Sequence, residues 1–342
     1  MPSVTNSTTT SSRREFLVKT SAASLALLWA GSANWARKIS PAGKPDSKFA
    51  GVQVGVITYS FRSMPGDVQQ LLQYVVDSGI SAIELMGDAV EAYAGKPAAT
   101  FKLPQPLPGQ SRPQLTDEQK AQVAAYQQEV ANWRAAVAMD KFAEVKKMYN
   151  NAGVKIYAFK PNALGANNTD AEIEYALRAA KALGAGSVTV ELPTDAAQSK
   201  RLGELAAKHK VYIGYHAHTQ ATDTAWDTAL SQSPYNSMNL DCGHYIAAGG
   251  SNTKESLLAL IQAKHDRITT MHLKDRKSKD HGGANMPWGE GDTPVKEILN
   301  LLKDKKYNIP ATIELEYDIP QGSDAVKETT RCVAFAKQAL TV

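Results

Sequence analysis

The segments SVTVELP (187–193), VYIGYHAH (211–218), SMNLDCGH (237–244), ITTMHLKD (268–275) and PATIELEYD (310–318) decide the fold. Each is a short run with a period of two, the period of a strand. Ile213, Tyr215 and Ala217 alternate with His216 and His218, while Leu240 and Cys242 flank Asp241. Met271 and Leu273 flank His272, and Ile313 and Leu315 flank Glu314. Successive strand residues point to opposite faces. The polar set of every run can therefore share one interior, with carboxylates and imidazoles near the carboxyl ends of neighbouring strands. Such a cluster is costly to bury unless something positive sits in it, and a divalent metal is the simplest candidate.

Three further strand patterns, VQVGVITYSF (52–61), SAIELMG (81–87) and VKIYAFKPN (154–162), bring the total to eight. Helical patterns such as DVQQLLQYVVDSG, AEIEYALRAAKALGAG and VKEILNLLKDKK separate the strands, and several stop at Gly or Asn. The pattern is weakest over 219–233. This alternation predicts an α/β fold, a single-domain (β/α)8 TIM barrel over residues 51–342, with its site at the carboxyl ends of the strands. A doubly wound open sheet would carry a glycine-rich turn after the first strand, and SFRSMPGD has none. Residues 88–139 form a long insertion between the second and third strands. It holds KLPQPLPGQSRPQ and then a helix from about Asp117 to Ala138. It reads as a lid, as a contact in a homo-oligomer, or as a surface excursion on the barrel side.

Residues 1–36 read as an export signal rather than as part of the fold. Ser12-Arg13-Arg14-Glu15-Phe16-Leu17 precedes a mildly apolar stretch from Ser21 to Ala33, followed by small residues. The paired arginines and Phe-Leu resemble a bacterial twin-arginine signal, which implies a periplasmic protein exported after folding. The apolar run is short of the roughly 20 residues that span a membrane, so no stable membrane anchor is expected. Residues 37–50 are rich in Pro, Lys and Ser and read as a linker. The 342-residue chain is 43% hydrophobic, enough for a packed core, and its net charge of +4 is too small to suggest nucleic acid. Cys242 and Cys332 have neither metal-knuckle nor redox spacing and read as buried thiols.

The chain resembles the xylose-isomerase-like barrel superfamily over roughly residues 51 to 340. The resemblance rests on YHAHT (215–219), LDCGHYIAAG (240–249), MHLKDR (271–276), WGEGDTP (288–294) and IELEYD (313–318), in this order. It implies that Asp241, His272 and Glu314 are metal ligands. The fourth family ligand is usually a Glu on the fifth strand, where this chain has His216. Either His216 binds through a ring nitrogen or Glu191 reaches across from the fourth strand. Three carboxylates with one or two imidazoles form a hard oxygen and nitrogen set. Such a set favours Mn2+, Mg2+, Co2+ or Fe2+ and is also compatible with Zn2+.

The remaining polar groups suggest the reaction. Lys274 shares the face of His272, and a neighbouring metal should lower its pKa toward that of a general base. His218, His244 and a non-ligating Glu191 are further candidates to move a proton. Trp288 is a candidate to stack on a sugar ring or, equally, a plug for its loop. Glu84 and Lys160 are placed toward the mouth as substrate-binding groups. The leading expectation is a metal-dependent isomerase or epimerase acting on a small, non-phosphorylated carbohydrate or polyol. A lyase or dehydratase acting by elimination, as on a 3-keto-glycoside or an inosose, is the second. A non-catalytic sugar-binding barrel is the third.

Overall fold

The computed structural model describes residues 43–104 and 113–341. The export signal expected over 1–36 lies outside them. The compact unit from Lys44 onward is a closed barrel. Its parallel strands are β1 (Val52–Ile57), β2 (Ala82–Met86), β3 (Lys155–Lys160), β4 (Ser187–Glu191), β5 (Tyr212–His216), β6 (Asn236–Asp241), β7 (Ile268–Leu273) and β8 (Ala311–Ile313). Each pairs with its neighbour, and β8 pairs with β1 to close the ring. The expected fold is thus the observed one. Lys48–Phe49, within the stretch read as a linker, pairs antiparallel with Val52–Gln53. Ser47 is buried there and donates its hydroxyl to Val54 O at 2.6 Å, so the ordered barrel begins ahead of residue 51.

The helices are α1 (Val68–Asp77), α2 (Gly87–Tyr93), α3 (Asp117–Ala136), α4 (Asp140–Asn151), α5 (Asp170–Leu183), α6 (Ala196–His209), α7 (Asp227–Gln232), α8 (Cys242–Ala248), α9 (Lys254–Lys264), α10 (Val295–Lys305) and α11 (Ala325–Thr341). Their starts follow local chemistry. Asp67 with Gln70, Thr116 with Gln119 and Thr169 with Glu172 form capping boxes that satisfy the free N–H groups of α1, α3 and α5. Gly184 ends α5 in the left-handed conformation, φ 82°. The weak pattern over 219–233 yields only the short α7.

The core lies between strands and helices. Most apolar strand residues, such as Ile213 and Tyr215 or Met271 and Leu273, are fully buried. Helix α3, from the insertion, buries only Val130 and Arg134 of its 20 residues. It docks on the barrel flank through Arg134 to Glu172 at 3.0 Å and through Trp133 edge-on to Tyr175.

Candidate active site

The site grows from the ends of β6, β7 and β8. Strand β6 ends at Asp241 and α8 begins at the next residue. Asp241 Oδ1 caps that helix by accepting the His244 N–H at 2.7 Å. The D-x-x-H spacing therefore orients the aspartate and the imidazole together. Strand pairing sets Asp241 beside His272 and His272 beside Thr312. Fully buried His272 then has Nδ1 at 3.2 Å from Glu314 Oε2 and 3.8 Å from Asp241 Oδ2. His216 Nε2 is 3.9 Å from the same Asp241 oxygen, and its Nδ1 meets Asn239 Oδ1 at 3.1 Å. His216, Asp241 and His272 each present one atom within 4.8 Å of the others.

Lys274 fills the space beside this group. Its Nζ lies 3.0 Å from Asp241 Oδ2, 2.6 Å from Glu314 Oε2, 2.6 Å from Glu316 Oε2 and 3.1 Å from His244 Nε2. Gly243 permits the approach, since a Cβ there would lie 2.6 Å from the Lys274 carbonyl oxygen. On the far side of His244, Arg276 Nη1 is 2.6 Å from Nδ1. Guanidinium and ammonium can both only donate, so the neutral ring, with its single acceptor nitrogen, can accept from Arg276 or from Lys274 but not from both.

These contacts set the charges. Burial disfavours the imidazolium of His272, but Glu314 and Glu84 outweigh it and raise the pKa to about 10. Burial alone would likewise lower Lys274, but Asp241, Glu314 and Glu316 hold its ammonium and raise the pKa instead. The carboxylates around Lys274 thus favour its charged form, an effect opposed to the lowering expected from a neighbouring metal. Glu314 is pushed well below the usual carboxylate range because His272 and Lys274 outweigh its burial. Asp241 goes the other way, to about 6, because burial exceeds the attraction of Lys274. Burial and neighbouring cations drive His216 down, and His244 down to about 2, so both rings are neutral.

The donor set fits a divalent ion. Asp241 Oδ2 is buried and makes no hydrogen bond among the described residues; the Lys274 ammonium is close to it but not aligned. Two imidazoles approach that oxygen and Glu314 reaches one of them, the mixed nitrogen and oxygen chemistry of a hard cation site. Asp241, His272, Glu314 and His216 are the residues that would hold the ion. Glu191 stands apart, half exposed at the rim, bound to Lys160 Nζ at 3.1 Å and facing His218 Nε2 at 3.3 Å. His218 stacks on His244 with ring centroids 4.5 Å apart, which links the rim to the buried cluster.

Two residues offered as substrate contacts are buried, Trp288 in keeping with the second of its two readings. Glu84 is 0% exposed, beneath the cluster rather than at the mouth. Its oxygens meet His272 Nε2 at 2.9 Å, Thr189 Oγ1 at 2.5 Å and Asn239 Nδ2 at 3.2 Å, so it positions the imidazole. Trp288 is 9% exposed, donates Nε1–H to Leu273 O at 3.1 Å and packs edge-on against Phe335. It plugs its loop. The rest of WGEGDTP wraps the Asp275 carboxylate, which accepts N–H groups from Gly289, Gly291 and Thr293 at 2.8, 2.9 and 3.1 Å. Asn239, Glu316, Arg276 and Thr189 were not singled out in the sequence. Asn239 shares the parity of Asp241, Arg276 that of Lys274, and Glu316 that of Glu314, which was the available signal.

The sequence profile of the family described as "Xylose isomerase-like TIM barrel" matches residues 72–334. A comparison with proteins of curated function gave no match. Among solved structures, the chain is similar to D-psicose 3-epimerase of Clostridium cellulolyticum, crystallised with D-tagatose. The identity is 12% and the TM-score 0.56, over 85% of this chain and 100% of that one. It is similar to the probable 3-DHS dehydratase AsbF of Bacillus anthracis at 15% identity and TM-score 0.56, over 83% and 98% of the two chains. A third is 3-keto-D-glucoside 4-epimerase of E. coli, at 12% identity and TM-score 0.55, over 84% and 99%. These likenesses show the shared fold, and the profile match shows the lineage: the chain belongs to the xylose isomerase-like TIM barrel family.

Proposed function

We propose that the protein is an exported, divalent-metal-dependent isomerase or epimerase of a non-phosphorylated carbohydrate. The observation that carries this reading is the approach of His216 and His272 to one buried Asp241 oxygen that accepts no hydrogen bond among the described residues, with Glu314 at the His272 ring nitrogen and proton-bearing groups beside them. Two of the three named structural neighbours are epimerases, which supports this class, and the third is a probable dehydratase. The twin-arginine pattern supports export, and among the described residues no helix is long and apolar enough to cross a membrane.

A divalent ion at this site supplies polarisation of a sugar carbonyl or hydroxyl, which acidifies the adjacent C–H. The protein groups then handle the proton. His218, oriented by Glu191, faces the mouth and accepts it. Lys274 carries a proton on Nζ and can return one at a neighbouring position. His244 spaces the two, stacked on His218 and in contact with Lys274 and Arg276. Lys160 and Glu191 meet substrate hydroxyls at the rim.

The ammonium of Lys274 favours a second reading. A held acid can also protonate a departing β-oxygen, which turns proton abstraction into elimination. The test is incubation with simple aldoses and ketoses, and separately with 3-keto-glycosides, followed by mass spectrometry and repeated with chelator. The proposal expects a product of unchanged mass, formed only with metal. Loss of water or of an aglycone, from the keto-glycosides alone, overturns isomerisation in favour of elimination. Turnover that survives chelation overturns the metal reading.

A further inference from the structure

Two adjoining cavities lie between the rim residues Lys160 and Glu191 and the insertion helix α3. The inner one, about 520 Å³, is lined by Lys160, Thr189, Glu191 and Asn162 among others. The outer one, about 630 Å³, lies between α3 and the 162–169 loop. Asn162, Gly165, Ala166 and Asn168 line both. The inner cavity meets the rim of the site through Lys160 and Glu191, the latter 3.3 Å from His218 Nε2. One such cavity already matches the usual size of a small-ligand pocket, so the pair exceeds what a monosaccharide fills.

The lining identifies the chemistry of the occupant. In the outer cavity Lys96 pairs with Glu91 at 2.7 Å, and Arg134 with Glu172 at 3.0 Å and Glu91 at 3.5 Å. The charges are matched within the wall, so an anion gains no free cation there. Beside them stand Gln127, Gln128, Asn167 and Tyr126. Amides and a phenol both donate and accept, as sugar hydroxyls do. Arg134 Nε, buried and without a partner among the described residues, adds an unused donor in the wall. Leu164, Pro161 and Leu192 line the inner cavity and suit the C–H face of a sugar ring.

We infer that the substrate is a disaccharide-sized neutral glycoside, with one ring reacting at the barrel mouth and the second held in the groove between α3 and the 162–169 loop. The inference rests on the sugar reading above and assigns the insertion the role of a second-ring subsite. Calorimetric titration of the metal-loaded full chain with glucose and with cellobiose, maltose and trehalose tests it. The best disaccharide should bind at least about tenfold tighter than glucose. Ala166→Trp, at the junction of the two cavities, should erase that advantage and leave glucose affinity within about twofold. Gln127→Ala with Gln128→Ala, on the exposed face of α3, should reduce the advantage without a bulky insertion. Equal affinity for glucose and disaccharides, or an advantage that both variants retain, overturns the subsite alone. Binding of no sugar overturns the carbohydrate reading and the subsite with it.

Discussion

Replacing Lys274 by methionine separates the roles of charge and shape in this site. The ammonium stands 2.6–3.0 Å from Asp241, Glu314 and Glu316, and the side chain is only 2% exposed. Methionine keeps most of the volume and removes the charge. The carboxylates then face one another with only His272 as a positive partner. Removing one member of a buried ionic network costs about 3–5 kcal/mol. For a domain of this size that corresponds to a drop in Tm of roughly 5–8 °C. A divalent ion should restore much of the loss, because it supplies the missing charge, and at a thousandfold excess over Kd it stabilises by about 4 kcal/mol. The assay is calorimetry of chelator-treated wild type and Lys274→Met, each without and with Mn2+. The variant should unfold well below wild type without metal and gain more from Mn2+ than wild type does. Equal stability without metal, or no response to Mn2+ in either protein, would refute the reasoning.

Further outcomes follow from the same contacts. His272 is protonated up to about pH 10 by Glu314 and Glu84, and must lose that proton to ligate a metal. Metal affinity should therefore rise about tenfold per pH unit between pH 7 and 9, and a flat Kd over that range would contradict it. The sign for stability is opposite. The raised pKa of His272 stabilises the metal-free fold below its unfolded value of 6.5, and that contribution is lost as pH rises through about 10. Gly243→Ala should cost about 1–3 kcal/mol and displace Lys274, seen as lower Tm with a fall in kcat; unchanged kcat would dissociate Gly243 from the lysine. Trp288→Phe should cost about 1 kcal/mol for its bond to Leu273 O and leave KM nearly unchanged, and a large rise in KM would restore it as a sugar contact.

The barrel was legible because period-two runs alternate with capped helices, and both signals are local. The polar parity of the strands likewise pointed to His216, Asp241 and His272, which the structure gathers on one interior. What parity cannot give is depth along the barrel axis. Glu84 was placed at the mouth, yet the β2–β3 register shifts between Ile83 and Glu84, and such irregularities re-aim a side chain. A second shift lies between Met238 and Asn239, and Asn239 donates to Glu84. The sign of the Lys274 shift depends on how many carboxylates crowd it, and Glu316 joins only after β8 has ended. Trp288 is covered by Phe335 from α11, a contact between elements that no local pattern announces.

The most direct test of a shared metal is the stoichiometry of bound divalent ion in wild type and Asp241→Ala protein, prepared in parallel and shown by circular dichroism to be equally folded. The account predicts one equivalent in wild type and essentially none in the variant. Full occupancy in folded Asp241→Ala, or no binding by wild type incubated with Mn2+, Co2+, Fe2+, Mg2+ or Zn2+, would contradict it.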